Sequence, residues 1–227
     1  MQPALWVMER LLGIKAPVSC AAHRGTAVET GVTLGLLNPD VPIDACRRGA
    51  LLRFDELAAF SGDPRKQKHR EEVPGMVENA LLELRQYGLP DRVQERVVRE
   101  LPGVPIPLLG FIDFGWSQHG IQGELKTSGK LPTQINGSHA RQLAAYVHNT
   151  NYEGRICYVT PKRIAVYALD DVEKRFMELR EIAVRLGRFL SLSRDPHELA
   201  SLLVPDPDHW LWSNPFATAT RIQVYGL

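Results

Sequence analysis

Asp113, Glu124 and Lys126 are the residues of this chain whose types and spacing could do chemistry. Asp113 closes the nearly continuous apolar run VPIPLLGFIDFGW, and ten residues later IQGELKTS carries Glu124 and Lys126. A carboxylate in or beside a buried strand costs free energy unless it is paired or binds a metal. Glu124 and Lys126 are two apart, so on a strand their side chains leave the same face. If the Asp113 strand pairs antiparallel with theirs, three charged groups converge at one end of a sheet. Two carboxylates there repel, and a divalent cation removes the repulsion. An all-oxygen donor set without His or Cys suits Mg²⁺ or Mn²⁺ better than zinc. Such an ion polarises a phosphoryl oxygen and lowers the pKa of an attacking water. A neighbouring ammonium stabilises the negative charge that develops. The plainer readings are Asp113 as a cap for the turn at Gly115-Trp116, and Glu124 and Lys126 as a solvated strand face.

The elements that must position these groups follow from the pattern. MQPALWVMERLLGIKA reads as an amphipathic first helix with Leu5, Met8, Leu11 and Leu12 on one face. A second helix is predicted from about Arg24 to Leu36, stopped by Asn38-Pro39, and a third in PIDACRRGALLRFDELAAF. SGDPRKQKHREE is a charged linker or helix start, followed by a helix from roughly Val77 to Tyr87. At Arg92 the texture changes: RVQERVVREL alternates like a strand with one covered face, and the two runs holding the charged trio are the next strands. GSHARQLAAYVHNT has helical spacing, with Ser138 as N-cap, before the strands GRICYVT and RIAVYALD. Residues 171–189 and 195–203 are predicted helical, with Leu179, Ile182, Leu186 and Phe189 on one face, and PDPDHWLWSNPFATAT is a packed tail. The expected class is α/β, a mixed central sheet flanked by helices, with helical additions at both ends.

Asp113, ten residues, then Glu124-Leu125-Lys126 resembles the signature of the PD-(D/E)xK nuclease superfamily, with Ile112 where a proline is usual. Gln142 and Tyr146, at i,i+4 on the following helix, are similar to the Q-x3-Y motif of RecB-like and lambda-type exonucleases. Gly25 and Glu29 on an early helix resemble the glycine and acidic residue near the metals in lambda-type (YqaJ-like) viral enzymes. The three motifs span residues 24 to 168 in the order those families have. The resemblance implies a restriction-endonuclease-like core within a single domain, 1–227, with a C-terminal helical extension over about 171–227. It implies Glu29, Asp113, Glu124 and the Leu125 carbonyl as metal ligands, and Lys126 as water-orienting base or electrostatic stabiliser. Gln142 and Tyr146 would hold the strand. The expected function is metal-dependent DNA hydrolysis, as an exonuclease of phage-type recombination or repair. The alternatives are a structure-specific endonuclease on the same fold and an inactive DNA-binding protein. A single-strand annealing recombinase and further copies of the chain are the other partners the resemblance raises. Iron–sulfur relatives place four cysteines, three near the C-terminus; this chain has three and none after Cys157, so no cluster is expected.

Secondary DNA contacts are expected from Arg24 at a phosphate, from Thr127, Ser128 and Lys130 after the site lysine, and from His139. Trp116 is a candidate base stacker, His119 a candidate ligand, and Lys162 and Arg163 sit at a turn. The net charge is +1, with 27 basic and 26 acidic residues, which neither advertises nor excludes a polyanion. Cys20, Cys46 and Cys157 lack metal spacing and read as reduced thiols. No apolar stretch approaches the ~20 residues a membrane span needs, and the start lacks the order of a secretory signal. A cytoplasmic protein of a bacterium or phage-infected cell is expected.

Overall fold

The computed structural model describes residues 3–209, 212 and 215–227. The chain divides into two compact units, Ser19–Glu181 and a second formed by Met1–Val18 with Ile182–Leu227. The core expected over 24–168 falls inside the first.

That first unit begins with three packed helices, α2 (Cys20–Leu37), α3 (Ile43–Leu57) and α4 (Lys66–Leu84). The Ser19 hydroxyl caps α2 by accepting from the Ala22 N–H at 3.2 Å, starting the helix earlier than the sequence predicts. Buried positions recur at helical spacing: Ala27, Val28, Val32 and Leu36 on α2, Cys46, Ala50 and Phe54 on α3. Gly31 permits their closeness, since a Cβ there would lie 2.8 Å from the Ala50 Cβ. The charged run 65–72 does not stay a linker. It opens α4, which continues through Pro74 because Val73, Met76, Val77, Ala80 and Leu81 are all buried, so packing outweighs local propensity.

The sheet follows: β1 (Arg92–Arg99), β2 (Leu108–Trp116), β3 (Ile121–Thr127), β4 (Glu153–Val159) and β5 (Ile164–Ala168), lying side by side in that order. All pairs are antiparallel except β3 and β4, which run parallel from Ile121 opposite Glu153 to Thr127 opposite Val159. A parallel pair needs a crossover, and α5 (Gly137–Val147) supplies it. Asn136 rather than Ser138 caps α5, its side chain accepting from the Ser138 N–H. Phe114, Trp116, Ile121, Leu125, Cys157 and Val159 join the core formed with α2, α3 and α4. The mixed α/β sheet with helices at both ends of the chain agrees with the class expected from sequence.

The second unit contains α1 (Pro3–Arg10), α7 (Pro196–Ser201), α8 (Pro215–Tyr225) and the end of α6 (Val172–Leu190). Ala4, Met8, Trp212 and Ala217 form its buried cluster, and the Tyr225 hydroxyl donates to the Ala4 carbonyl at 2.8 Å. Three expectations change here. α1 stops before Leu11 and Leu12. Ile182 stays 46% exposed, so the apolar face of α6 is only partly covered. The tail continues into a helix over 215–225, where the sequence predicts none; Trp210, Leu211, Ser213 and Asn214 of that tail lie outside the described residues. Among the described residues no helix is long and apolar enough to cross a membrane.

Candidate active site

β2 and β3 pair only from Phe114 opposite Gly123 to Trp116 opposite Ile121. Beyond that point the Asp113 carboxylate takes the place of a strand partner, its Oδ2 accepting the Leu125 N–H at 2.8 Å. Asp113 is therefore held by the residue between Glu124 and Lys126, which is the convergence the sequence predicts. Lys126 Nζ donates to Glu124 Oε1 at 2.6 Å, and Gln142 Nε2 donates to the same oxygen at 2.8 Å. Gln142 Nε2 also lies 3.0 Å from the Tyr146 hydroxyl. Tyr146 packs against Gly110, where a Cβ would come within 2.5 Å of the ring. Only glycine leaves room for that ring.

Glu29 reaches the same place from α2. Between it and Asp113 lies a residue the sequence analysis does not single out, Gln94 on β1. Its Nε2 donates to Glu29 Oε1, and to Asp113 Oδ1 at 3.0 Å. Its backbone has φ of +49°, a left-handed conformation that is uncommon away from glycine. Nothing in RVQERVVREL marks that departure; the only available signal is a polar side chain in the strand that the antiparallel arrangement sets beside Asp113.

The electrostatics follow from crowding and burial. Burial, with Asp113 nearby, pushes Glu29 up to about 7, the Lys126 charge partly opposing this. Glu124, 4% exposed, is likewise pushed up to about 7 by burial and by Asp113, against Lys126 and Gln142. Burial also raises Asp113, against the Leu125 N–H, Lys126 and Gln94. Burial pulls Lys126 down, but Glu124 and Asp113 more than offset it, so the ammonium ends above its ordinary value. Lys126 is thus charged at neutral pH.

Among the described residues no three His, Cys, Asp or Glu side chains are grouped as a metal-holding set. The Gln94 amide stands between two of the expected ligands, and Lys126 engages the third. Yet Glu124 Oε2 is buried and has no hydrogen-bond partner. An orphaned carboxylate oxygen near Asp113, which Gln94 links to Glu29, fits a hard cation, and a cation there would favour the charged form of these burial-raised carboxyls.

This makes stability depend on pH in a definite direction. A carboxylate with a raised folded pKa binds more protons folded than unfolded, so stability falls as pH rises from about 4.5 to about 7. Burial lowers His139, which acts in the opposite sense below its ordinary value of 6.5. The expected result is that the metal-free wild type loses more melting temperature between pH 5.5 and pH 8 than the Glu29→Gln, Glu124→Gln double variant does. Mn²⁺ should raise the wild-type melting temperature more at pH 8 than at pH 5.5, because its ligands must be ionised. Calorimetric melts across that range check both.

The remaining sequence candidates separate. Arg24 is corrected: it is 5% exposed, and its guanidinium donates to Glu72 and meets His69 Nδ1 at 3.1 Å, so burial withholds it from a phosphate. Trp116 is 1% exposed, with its indole N–H on the Gly88 carbonyl, and packs rather than stacks on a base. His119 Nε2 lies 3.0 Å from the Tyr87 carbonyl. His139 Nδ1 lies 2.7 Å from the Tyr158 hydroxyl. The Ser128 hydroxyl donates to the Lys130 carbonyl, which ties it to its turn. Thr127 Oγ1 faces Gly25, 3.5 Å from where a Cβ would stand. Lys130, Lys162 and Arg163 line one open depression of about 510 Å³ together with Glu72. The three thiols are buried and unpaired.

The chain is similar to the solved structure of SSO0001, with 17% identity, 85% of this chain and 96% of that chain covered, and a TM-score of 0.37. No family model matches it, and no curated protein does.

Proposed function

We propose that the protein is a metal-dependent DNA nuclease that hydrolyses phosphodiester bonds from an end. The observation that carries this reading is the meeting at Glu124 of residues from separate motifs. Lys126 and Gln142 hold one of its oxygens while the other has no partner. Asp113 and Glu29 approach within reach of a single amide, that of Gln94. The order of these residues also matches the resemblance to PD-(D/E)xK nucleases.

Glu124 and Asp113, with Glu29 alongside, are the residues that would hold Mg²⁺ or Mn²⁺, which supplies a Lewis acid for the phosphoryl oxygen and a more acidic water. The chain's own groups do the rest. Lys126, being charged, cannot accept a proton, which favours electrostatic stabilisation of the developing phosphorane charge over the role of base. Gln142 fixes the Glu124 carboxylate, and Tyr146 fixes Gln142. The depression lined by Lys130, Lys162 and Arg163 begins a few residues beyond Lys126 and suits a phosphate backbone.

The test is incubation of linear duplex and covalently closed circular DNA with Mg²⁺. Degradation of the linear form alone is the expected result. Cleavage of the circle would transfer the reading to an endonuclease, and no cleavage of either with Mg²⁺ or Mn²⁺ would end it.

A further inference from the structure

Gln94 departs from its surroundings in two independent ways. It is left-handed in the middle of a strand whose neighbours on both sides pair regularly, Val93 with Phe114 and Glu95 with Ile112. Non-glycine residues stay in such a conformation only where their surroundings hold them there, and they concentrate at functional sites. Its side chain then spans Glu29 and Asp113, two carboxyls from elements far apart in sequence, with one nitrogen. An amide nitrogen between two carboxyl groups stands where a cation would be drawn by the same charges. Gln94 is also exposed, and the amide plane is set from its nitrogen end alone, by Glu29 and Asp113.

An amide carries a donor and an acceptor on one carbon, exchangeable by a half-turn about the last side-chain bond. With the carboxyls otherwise uncompensated, the nitrogen faces them. With a divalent cation between them, the nitrogen is repelled and the oxygen becomes the favoured end. The second sign of a ligand is on Glu124, whose buried Oε2 lacks any partner. We propose that Gln94 is a positioning residue of this site: its amide holds Glu29 and Asp113 together before a cation arrives, then turns to present Oε1 to that cation or to its hydration shell. This rests on the metal-dependent reading above and deepens it by adding a fourth side-chain oxygen donor, from β1.

The contribution is measurable without any cleavage assay. Gln94→Met keeps length and backbone preference while removing both polar atoms, and Gln94→Glu keeps an acceptor and removes the donor. Mn²⁺ affinity is read by titration calorimetry at pH 8, with melting temperatures confirming that each variant is folded. Gln94→Met is expected to bind Mn²⁺ about 10- to 100-fold more weakly, the range seen when a group supporting a metal site is lost. Gln94→Glu is expected to bind at least as tightly as wild type and, without metal, to melt lower at pH 8 than Gln94→Met does. Wild-type affinity in Gln94→Met overturns the proposal and makes the amide a placeholder, while tighter binding makes it a competitor. Failure of the wild type itself to bind Mn²⁺ removes the metal-dependent reading, and this inference with it.

Discussion

Replacing Lys126 by Ala lowers Mg²⁺-dependent cleavage of linear DNA by about 10²-fold or more, the usual loss when a group stabilising transition-state charge is removed. Lys126 Nζ lies 2.6 Å from Glu124, and the carboxyls around it keep it protonated. It bonds to Glu124 without being one of the oxygen donors. The variant is therefore expected to retain Mn²⁺ binding, and even to tighten it, while turnover collapses. Glu124→Gln should lose both together, because a neutral amide replaces the charge a cation needs. Paired calorimetry and nuclease assays separate the two patterns. Unchanged turnover in both variants would falsify the assignment of the site.

The second large effect lies outside the chemistry. Removing Glu72 leaves the buried Arg24 guanidinium with His69 as its remaining side-chain contact, and Arg24 Nε already lacks a partner. Breaking a buried ion pair from one side costs about 3–5 kcal/mol, because the remaining charge is uncompensated. Glu72→Ala should lower the denaturation midpoint accordingly. Replacing both partners by apolar residues of similar volume, as in Arg24→Met with Glu72→Leu, should cost less. A loss of DNA binding in Arg24→Ala must then be read against its folding, since Arg24 belongs to the packing of α2 against α4.

The contrast between Arg24 and Asp113 shows where the sequence was legible. Asp113, Glu124 and Lys126 could be placed together because strand periodicity determines which side chains share a face, and because crowded carboxylates announce a need for compensation. The strands are legible from alternation in β1 and from short apolar runs bounded by turn residues in the others, whereas their order in the sheet is not. Arg24 was not legible in this way. Whether an arginine meets solvent or a carboxylate depends on Glu72, nearly fifty positions away and on another helix, in a run of charges that reads as solvated. Trp116 packs, the plainer of its two sequence readings: Phe114 lies two positions back on the same strand, whereas Tyr87 becomes its neighbour only through the tertiary fold. Gln94 was hidden differently, in one backbone torsion that a regular alternation of residue types conceals. The α8 helix escaped because Pro and aromatic residues before it suggest irregular chain, whereas ATATRIQVY continues with helical hydrogen bonds.

β1 is an outermost strand, and a flat outermost strand offers its free amides and carbonyls as a template on which another chain can add. The left-handed turn of Gln94 breaks that row near its start, and Arg92, Glu95 and Arg96 put charges on either side of the break. A straightened β1, as Gln94→Val would favour, should therefore bring a tendency to aggregate through the sheet margin. The torsion that aims an amide at two acids is thus also an interruption in the row of groups on which a second chain would have to add.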